Sequence, residues 1–171
     1  FFIEAEDGYD ISNMKVKGKV KDTDTYIDIE PKNGYYTINF NDDSLNLSSD
    51  RTVTIEISGI KINNYKVTFT PYEDLAYKGP SGQVISNSLE FKYGENVSFS
   101  ASVSDSGPYS NSNITVKAEN SSSGEITELK LDKKSNLYTI NNIQNNYRIF
   151  VEGLKLNEYN LRFKSSDNIS Y

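Results

Sequence analysis

Apolar and polar residues alternate along most of this chain. Val53, Ile55 and Ile57 stand against Thr52, Thr54, Glu56 and Ser58, a period of two that sends each set to its own face of an extended strand. Apolar residues spaced i, i+3, i+4, i+7 are hard to find over any window of eleven, so the pattern predicts strands and nearly excludes helix. Strands are expected near 1–5, 14–20, 26–29, 35–40, 52–57 and 64–70, then near 90–92, 96–103, 114–118, 127–131, 137–141, 147–152 and 159–164. Turn clusters separate them: EDGYD, PKNG, NDDSLNLSSD, DSGPYSNSN and ENSSSGE. The stretch 71–94 is expected to add a hairpin to one domain or the other. Short strands recurring every ~8–12 residues are the pattern of a sandwich or barrel.

Much of the pattern occurs twice. RTVTIEISGIKINNYKVTF (51–69) returns as NNYRIFVEGLKLNEYNLRF (145–163) at a constant offset of 94 residues, which pairs Ile55 with Ile149, Gly59 with Gly153, Lys61 with Lys155, Asn63 with Asn157, Tyr65 with Tyr159 and Phe69 with Phe163. Upstream, YTIN at 36–39 answers YTIN at 138–141, and NMKVK at 13–17 answers NITVK at 113–117. Phe1, Ile3 and Ala5 line up with Phe99, Ala101 and Val103. Extra residues in the first copy fall mostly in NDDSLNLSSD, where a loop tolerates them.

A repeat can be framed two ways. If 65–69 opens a unit, the chain holds a first copy lacking its opening strands, a full copy, and a stub at 159–171. If 65–69 closes a unit, the chain holds two near-complete domains. The second frame avoids a stub strand with unpaired backbone groups. It predicts domains at 1–80 and 81–171, joined at the breaker run KGPSG. The opening FFIEAEDGYD has neither an initiator Met nor a signal-like region, so the chain is expected to be a piece of something longer.

Composition narrows the chemistry. There is no Cys and no His, which removes disulfides, thiol nucleophiles, Cys/His metal sites and imidazole acid–base schemes. With 18 basic and 24 acidic residues the net charge of -6 disfavours nucleic acid and anionic membrane surfaces. No apolar run approaches the ~20 residues that span a bilayer. Hydrophobic residues make up 36%, but 13 Tyr and 8 Phe supply a core rich in strand formers.

The strings YGENVSFSASV, NITVKAE and YTINNIQNNYRIFVEGLKLNEYNLRF, with EDGYDISNMKVKG in the first copy, resemble the Ig-like repeats strung in tandem along large surface proteins of Gram-positive bacteria. The resemblance covers almost the whole chain, twice. It implies an all-β fold of two tandem immunoglobulin-like β-sandwich domains. It also implies an extracellular setting, at the bacterial cell surface or secreted, with neighbouring Ig-like domains of the same chain as partners. Its matched positions are structural, and it carries no catalytic residue and no cofactor. Gly59 and Gly153 are expected to end a strand at a turn needing φ > 0 or a close approach. Tyr65 and Tyr159 are expected to head the next strand and pack at the sandwich edge.

Three kinds of chemistry remain to be placed. Calcium takes about six to eight oxygen ligands, and the acidic clusters available are Glu6, Asp7 and Asp10; Asp22, Asp24 and Asp28; and Asp42, Asp43 and Asp50, none with EF-hand spacing. Tyrosines in or beside loops are the residues to stack on a sugar ring: Tyr9, Tyr35 and above all Tyr72, Tyr77 and Tyr109, although Trp, the commonest platform, is absent. A Lys–Asn isopeptide bond between Lys66 and Asn157 is the third. The expected function is non-catalytic: a stalk or spacer, or part of an adhesin. The rival is a module whose loops bind a host glycan or protein, and a remoter one is an accessory domain of a surface enzyme.

Overall fold

The computed structural model describes residues 1–41, 52–104, 107–110, 114–158 and 162. Every named element among them is a strand. β1 (Tyr9–Asp10), β2 (Lys15–Val20), β3 (Tyr26–Asp28), β4 (Val53–Ser58) and β5 (Lys61–Ile62) come first, followed by β6 (Asn64–Phe69), β7 (Leu75–Lys78), β8 (Val84–Ile85), β9 (Ser88–Lys92) and β10 (Val97–Val103). β11 (Tyr109–Ser110), β12 (Thr115–Asn120), β13 (Ile126–Glu128), β14 (Tyr138–Ile140), β15 (Tyr147–Glu152) and β16 (Lys155–Leu156) complete the set.

The chain divides into two compact units, Phe1–Asn64 and Tyr65–Tyr171. This boundary lies well before the expected one at 80/81, and β6 explains the difference. Its inward residues Val67 and Phe69 are fully buried in the second unit's core. Its backbone runs parallel to β15, with Val67 opposite Tyr147 and Phe69 opposite Ile149. Residues 65–69 therefore open a unit, the frame set aside above. KGPSG is a hairpin turn inside the second unit, between β7 and β8, where Gly79 N–H donates to the Gln83 carbonyl at 2.9 Å. The hairpin expected within 71–94 is this one.

In the second unit one sheet has the order β13-β12-β15-β6-β9 and the other β14-β10-β7-β8. Both contribute to one core: Val67, Phe69, Val116, Ala118, Ile149 and Val151 from the first, Tyr77, Ile85, Val97, Phe99, Tyr138 and Ile140 from the second. Burial alternates along β12 and β15, so the period-two pattern is the direct cause of this inward face. Rings knit the interior, with Phe69 at 5.0 Å from Tyr77 and Phe99 at 5.9 Å from Tyr138 between centroids.

The first unit reproduces part of this arrangement in the same register. β3-β2-β4 corresponds to β13-β12-β15, with Lys17 opposite Asp28 and Glu56 where Lys117 lies opposite Glu128 and Phe150. The ribbon β1–β5 pairs Tyr9 with Ile62, as β11–β16 pairs Tyr109 with Leu156. Residues 1–5 and 35–40, expected as strands, are not strands here. Between these two segments Phe1 and Tyr36 exchange backbone hydrogen bonds of 3.0 and 2.8 Å without forming a named strand, while Phe99 and Tyr138 are partners in a full ladder. β10 runs on to pair with β7, and among the described residues the first unit has no counterpart of β7 to extend its pairing. Its core is correspondingly small, with Val16, Ile29 and Tyr36 at the centre.

Candidate functional site

The repeated glycine and asparagine positions build one structural joint twice. Gly59 and Gly153 adopt φ of +78° and +79°, the left-handed region that favours glycine. A Cβ on Gly59 would sit 2.0 Å from the Asn13 carbonyl oxygen. Four residues on, Asn63 N–H donates to the Gly8 carbonyl at 2.8 Å, and Asn157 N–H to the Pro108 carbonyl at 2.7 Å. The Asn157 amide also donates to the carbonyls of Gly107 and Tyr109. This use of the Asn157 amide, and the exposed position of Lys66 on β6, do not bring the two into a buried isopeptide arrangement. Tyr65 packs at the margin of the second core, 6.4 Å from the ring of Tyr93. Its repeat partner Tyr159 lies outside the described residues.

The tyrosines proposed as a sugar platform do not form one. Tyr77 is only 3% exposed and packs on Phe69 and Phe99. Burial raises its pKa well above the usual tyrosine range, helped by the neighbouring Tyr72, and its hydroxyl has no hydrogen-bond partner among the described residues. Alternation explains this: Tyr77 lies inside β7, a strand the turn residues around it hide in the sequence. Tyr72 is half-buried, and its hydroxyl accepts the Val151 N–H at 3.2 Å. Tyr109 stands apart on the β11–β16 ribbon.

Asp42, Asp43 and Asp50 lie outside the described residues. Among the described residues no three acidic side chains gather to share a cation. Asp10 accepts the Ser12 N–H at 2.8 Å, which holds its carboxyl below the usual range, and Asp28 pairs with Lys17 at 3.2 Å.

Two hollows occupy the same place in each unit, beside the β2–β3 and β12–β13 hairpins. One, of about 560 Å³, is lined by Met14, Val16, Asp28, Ile29, Glu30 and Tyr36. The other, of about 610 Å³, is lined by Ile114, Val116, Glu128, Leu129, Lys130 and Tyr138. Their recurrence at matched positions makes them a product of the fold, and the lining charges differ where Glu30 is replaced by Lys130. A third hollow, of about 410 Å³, is more apolar and lies in the first unit between Phe1, Tyr36, Ile38, Phe40, Val53 and Ile55. In the second unit the corresponding walls, Phe99, Tyr138 and Ile149, close on the ring of Phe69. No residue type marks this groove in the sequence.

No protein-family model, no curated protein and no solved structure matches the chain.

Proposed function

We propose that this chain is a non-catalytic, surface-exposed pair of Ig-like modules from a bacterial extracellular protein, serving as a stalk or spacer or as part of an adhesin. The observation that supports this reading is the repetition of one β framework in identical register, down to the Gly59 and Gly153 turns. The chain also passes from one unit to the next with a single residue between β5 and β6. A rod needs such reuse of one rigid unit and such brief joints, because slack between units would waste length. The absence of cysteine suits a setting in which stiffness comes from packing.

A second reading, recognition of a host glycan or protein, draws on the hollow beside β12–β13, whose lining differs in charge from its counterpart. An array of glycans and host proteins probed with the full chain separates the two. The stalk reading expects no saturable signal. A dose-dependent signal abolished by Lys130→Glu or by replacing the loop DSGPYSNSN overturns it in favour of binding.

A further inference from the structure

Between the core residues Ile29 and Tyr36 of the first unit the chain turns back at Asn33 and Gly34. Lys32 N–H donates to the Tyr35 carbonyl at 2.8 Å and Tyr35 N–H to the Lys32 carbonyl at 3.1 Å, so only Asn33 and Gly34 form the turn. Both are left-handed, with φ of +53° and +80°, as the tightest hairpin turns require of their central residues. Asn followed by Gly occurs at this one place in the chain. Both residues are exposed, and a Cβ built on Gly34 would meet nothing within 4 Å. Among the described residues neither the Gly34 N–H nor the Asn33 side-chain amide has a hydrogen-bond partner.

We propose that Asn33 is a self-modification site, at which the chain converts its own asparagine into isoaspartate through a succinimide formed with Gly34. The Gly34 backbone nitrogen loses its proton to solvent and attacks Cγ of Asn33. A bond from that nitrogen to Cγ forms, the Cγ–Nδ2 bond breaks, and ammonia leaves after taking a proton back from solvent. Water then opens the five-membered ring. Breaking the new bond to Cγ leaves an ordinary aspartate, whereas breaking the original peptide bond leaves isoaspartate, whose main chain runs through Cβ and Cγ. In sum water is consumed and ammonia released, and nothing is oxidised or reduced.

Glycine makes the attack feasible because no Cβ crowds its nitrogen. Other asparagines lack that freedom. Tyr36 answers Tyr138, so the turn closed by Lys32 and Tyr35 corresponds to the loop closed by Asp132 and Leu137. Asn136 there has φ of +58°, but the branched Leu137 follows it, and Asp132 ties the loop by accepting the Lys134 N–H at 3.0 Å and the Ser135 hydroxyl at 2.7 Å. At Asn120 the following nitrogen is engaged, since Ser121 N–H donates to the Asn146 carbonyl at 2.8 Å. The Asn120 Oδ1 is held as well, by the N–H groups of Ser122 and Ser123. In isoaspartate the main chain gains a carbon inside a turn that has no slack, so the bonds between Lys32 and Tyr35 weaken.

Ageing the full chain in mildly alkaline buffer tests this, read by fragmentation mass spectrometry and by methyl transfer from a protein isoaspartyl methyltransferase. Asn33 is expected to gain the mass of an NH2-to-OH exchange and the chain to become a methyl acceptor, while Asn120 and Asn136 stay intact. The rate is expected to rise with pH, because the attacking nitrogen must lose its proton, and the amides of Lys32 and Tyr35 are expected to exchange faster in the product. Gly34→Ala should slow the reaction by roughly an order of magnitude, since a Cβ then crowds the nitrogen. Asn33→Gln should abolish methyl acceptance at this turn. The proposal fails if Asn33 of the folded chain stays intact while the chain aged in urea reacts there. It fails equally if Gly34→Ala reacts as fast as the parent, or if aspartate is the sole product.

Discussion

The ring of Phe69 meets that of Phe99 edge-on, with centroids 5.1 Å apart and planes at 86°. Phe69 lies on β6 and Phe99 on β10, one in each sheet of the second unit, so this pair fastens the two layers. Both rings are essentially inaccessible to solvent. Phe1, the counterpart of Phe99, stacks on Tyr36 at 5.4 Å, and among the described residues no second ring meets it as Phe69 meets Phe99. The same residue type at the same repeat position therefore does different energetic work in the two units.

Truncation of Phe69 should expose that difference. Deleting a fully buried phenyl ring costs about 3–5 kcal/mol, so Phe69→Ala is expected to destabilise the second unit by that amount. Phe1→Ala, at a half-exposed ring, is expected to cost about 1 kcal/mol or less. Urea unfolding followed by tyrosine fluorescence and circular dichroism measures both. Equal effects would show that the interior is not organised around the Phe69–Phe99 contact.

Two glycines separate backbone strain from steric conflict. Gly34 has φ of +80° with open space around it, so Gly34→Ala carries only the left-handed penalty, about 1 kcal/mol. Gly59 has a similar φ of +78°, but its new Cβ would collide with the Asn13 carbonyl oxygen. Gly59→Ala is therefore expected to cost clearly more, on the order of 2–4 kcal/mol in all. Thermal unfolding of both variants gives the comparison, and a Gly59→Ala melting curve no worse than that of Gly34→Ala would contradict it.

Tyr77 predicts an alkaline limb. Its hydroxyl is buried without a partner among the described residues, and burial raises its pKa in the folded state. Below the ordinary tyrosine pKa of ~10 both states hold the proton. Above it the unfolded chain releases the proton first, so stability falls as pH rises. Tyr77→Phe is expected to flatten that fall. Tyr138, also raised by burial, keeps part of it. At neutral pH the substitution is expected to be neutral or stabilising by up to ~1 kcal/mol, since it removes an unsatisfied group. Urea titrations at pH 8 and above 10 supply both numbers, and an unchanged alkaline slope would place the hydroxyl in contact with water.

Alternation made β2, β4, β6, β10, β12 and β15 legible, because a half-buried strand must send every second residue inward. It also placed Phe1 with Phe99 and Tyr36 with Tyr138, and the stacked pairs follow those matches. It did not reveal β7 and β8, which are short and close to the Gly- and Pro-containing run KGPSG. Nor did it reveal the two-residue ribbons β1–β5 and β11–β16, too short to carry a period. For the candidate site, loop position suggested Tyr77 as an exposed platform, and strand pairing with β10 turned it into the core.

By itself the sequence determined that this protein is built of strands, that its framework occurs twice, and which residues of one copy answer those of the other. These are local facts, set by side-chain period and by turn chemistry. The tertiary structure alone decided the frame. Residues 65–69 suit the end of one unit or the start of the next equally well by alternation. Their assignment came from the parallel ladder with β15 and from the burial of Val67 and Phe69 against Phe99 and Ile149, contacts between residues far apart in the chain. That one choice completes the second unit and leaves β4 as an edge among the described residues of the first.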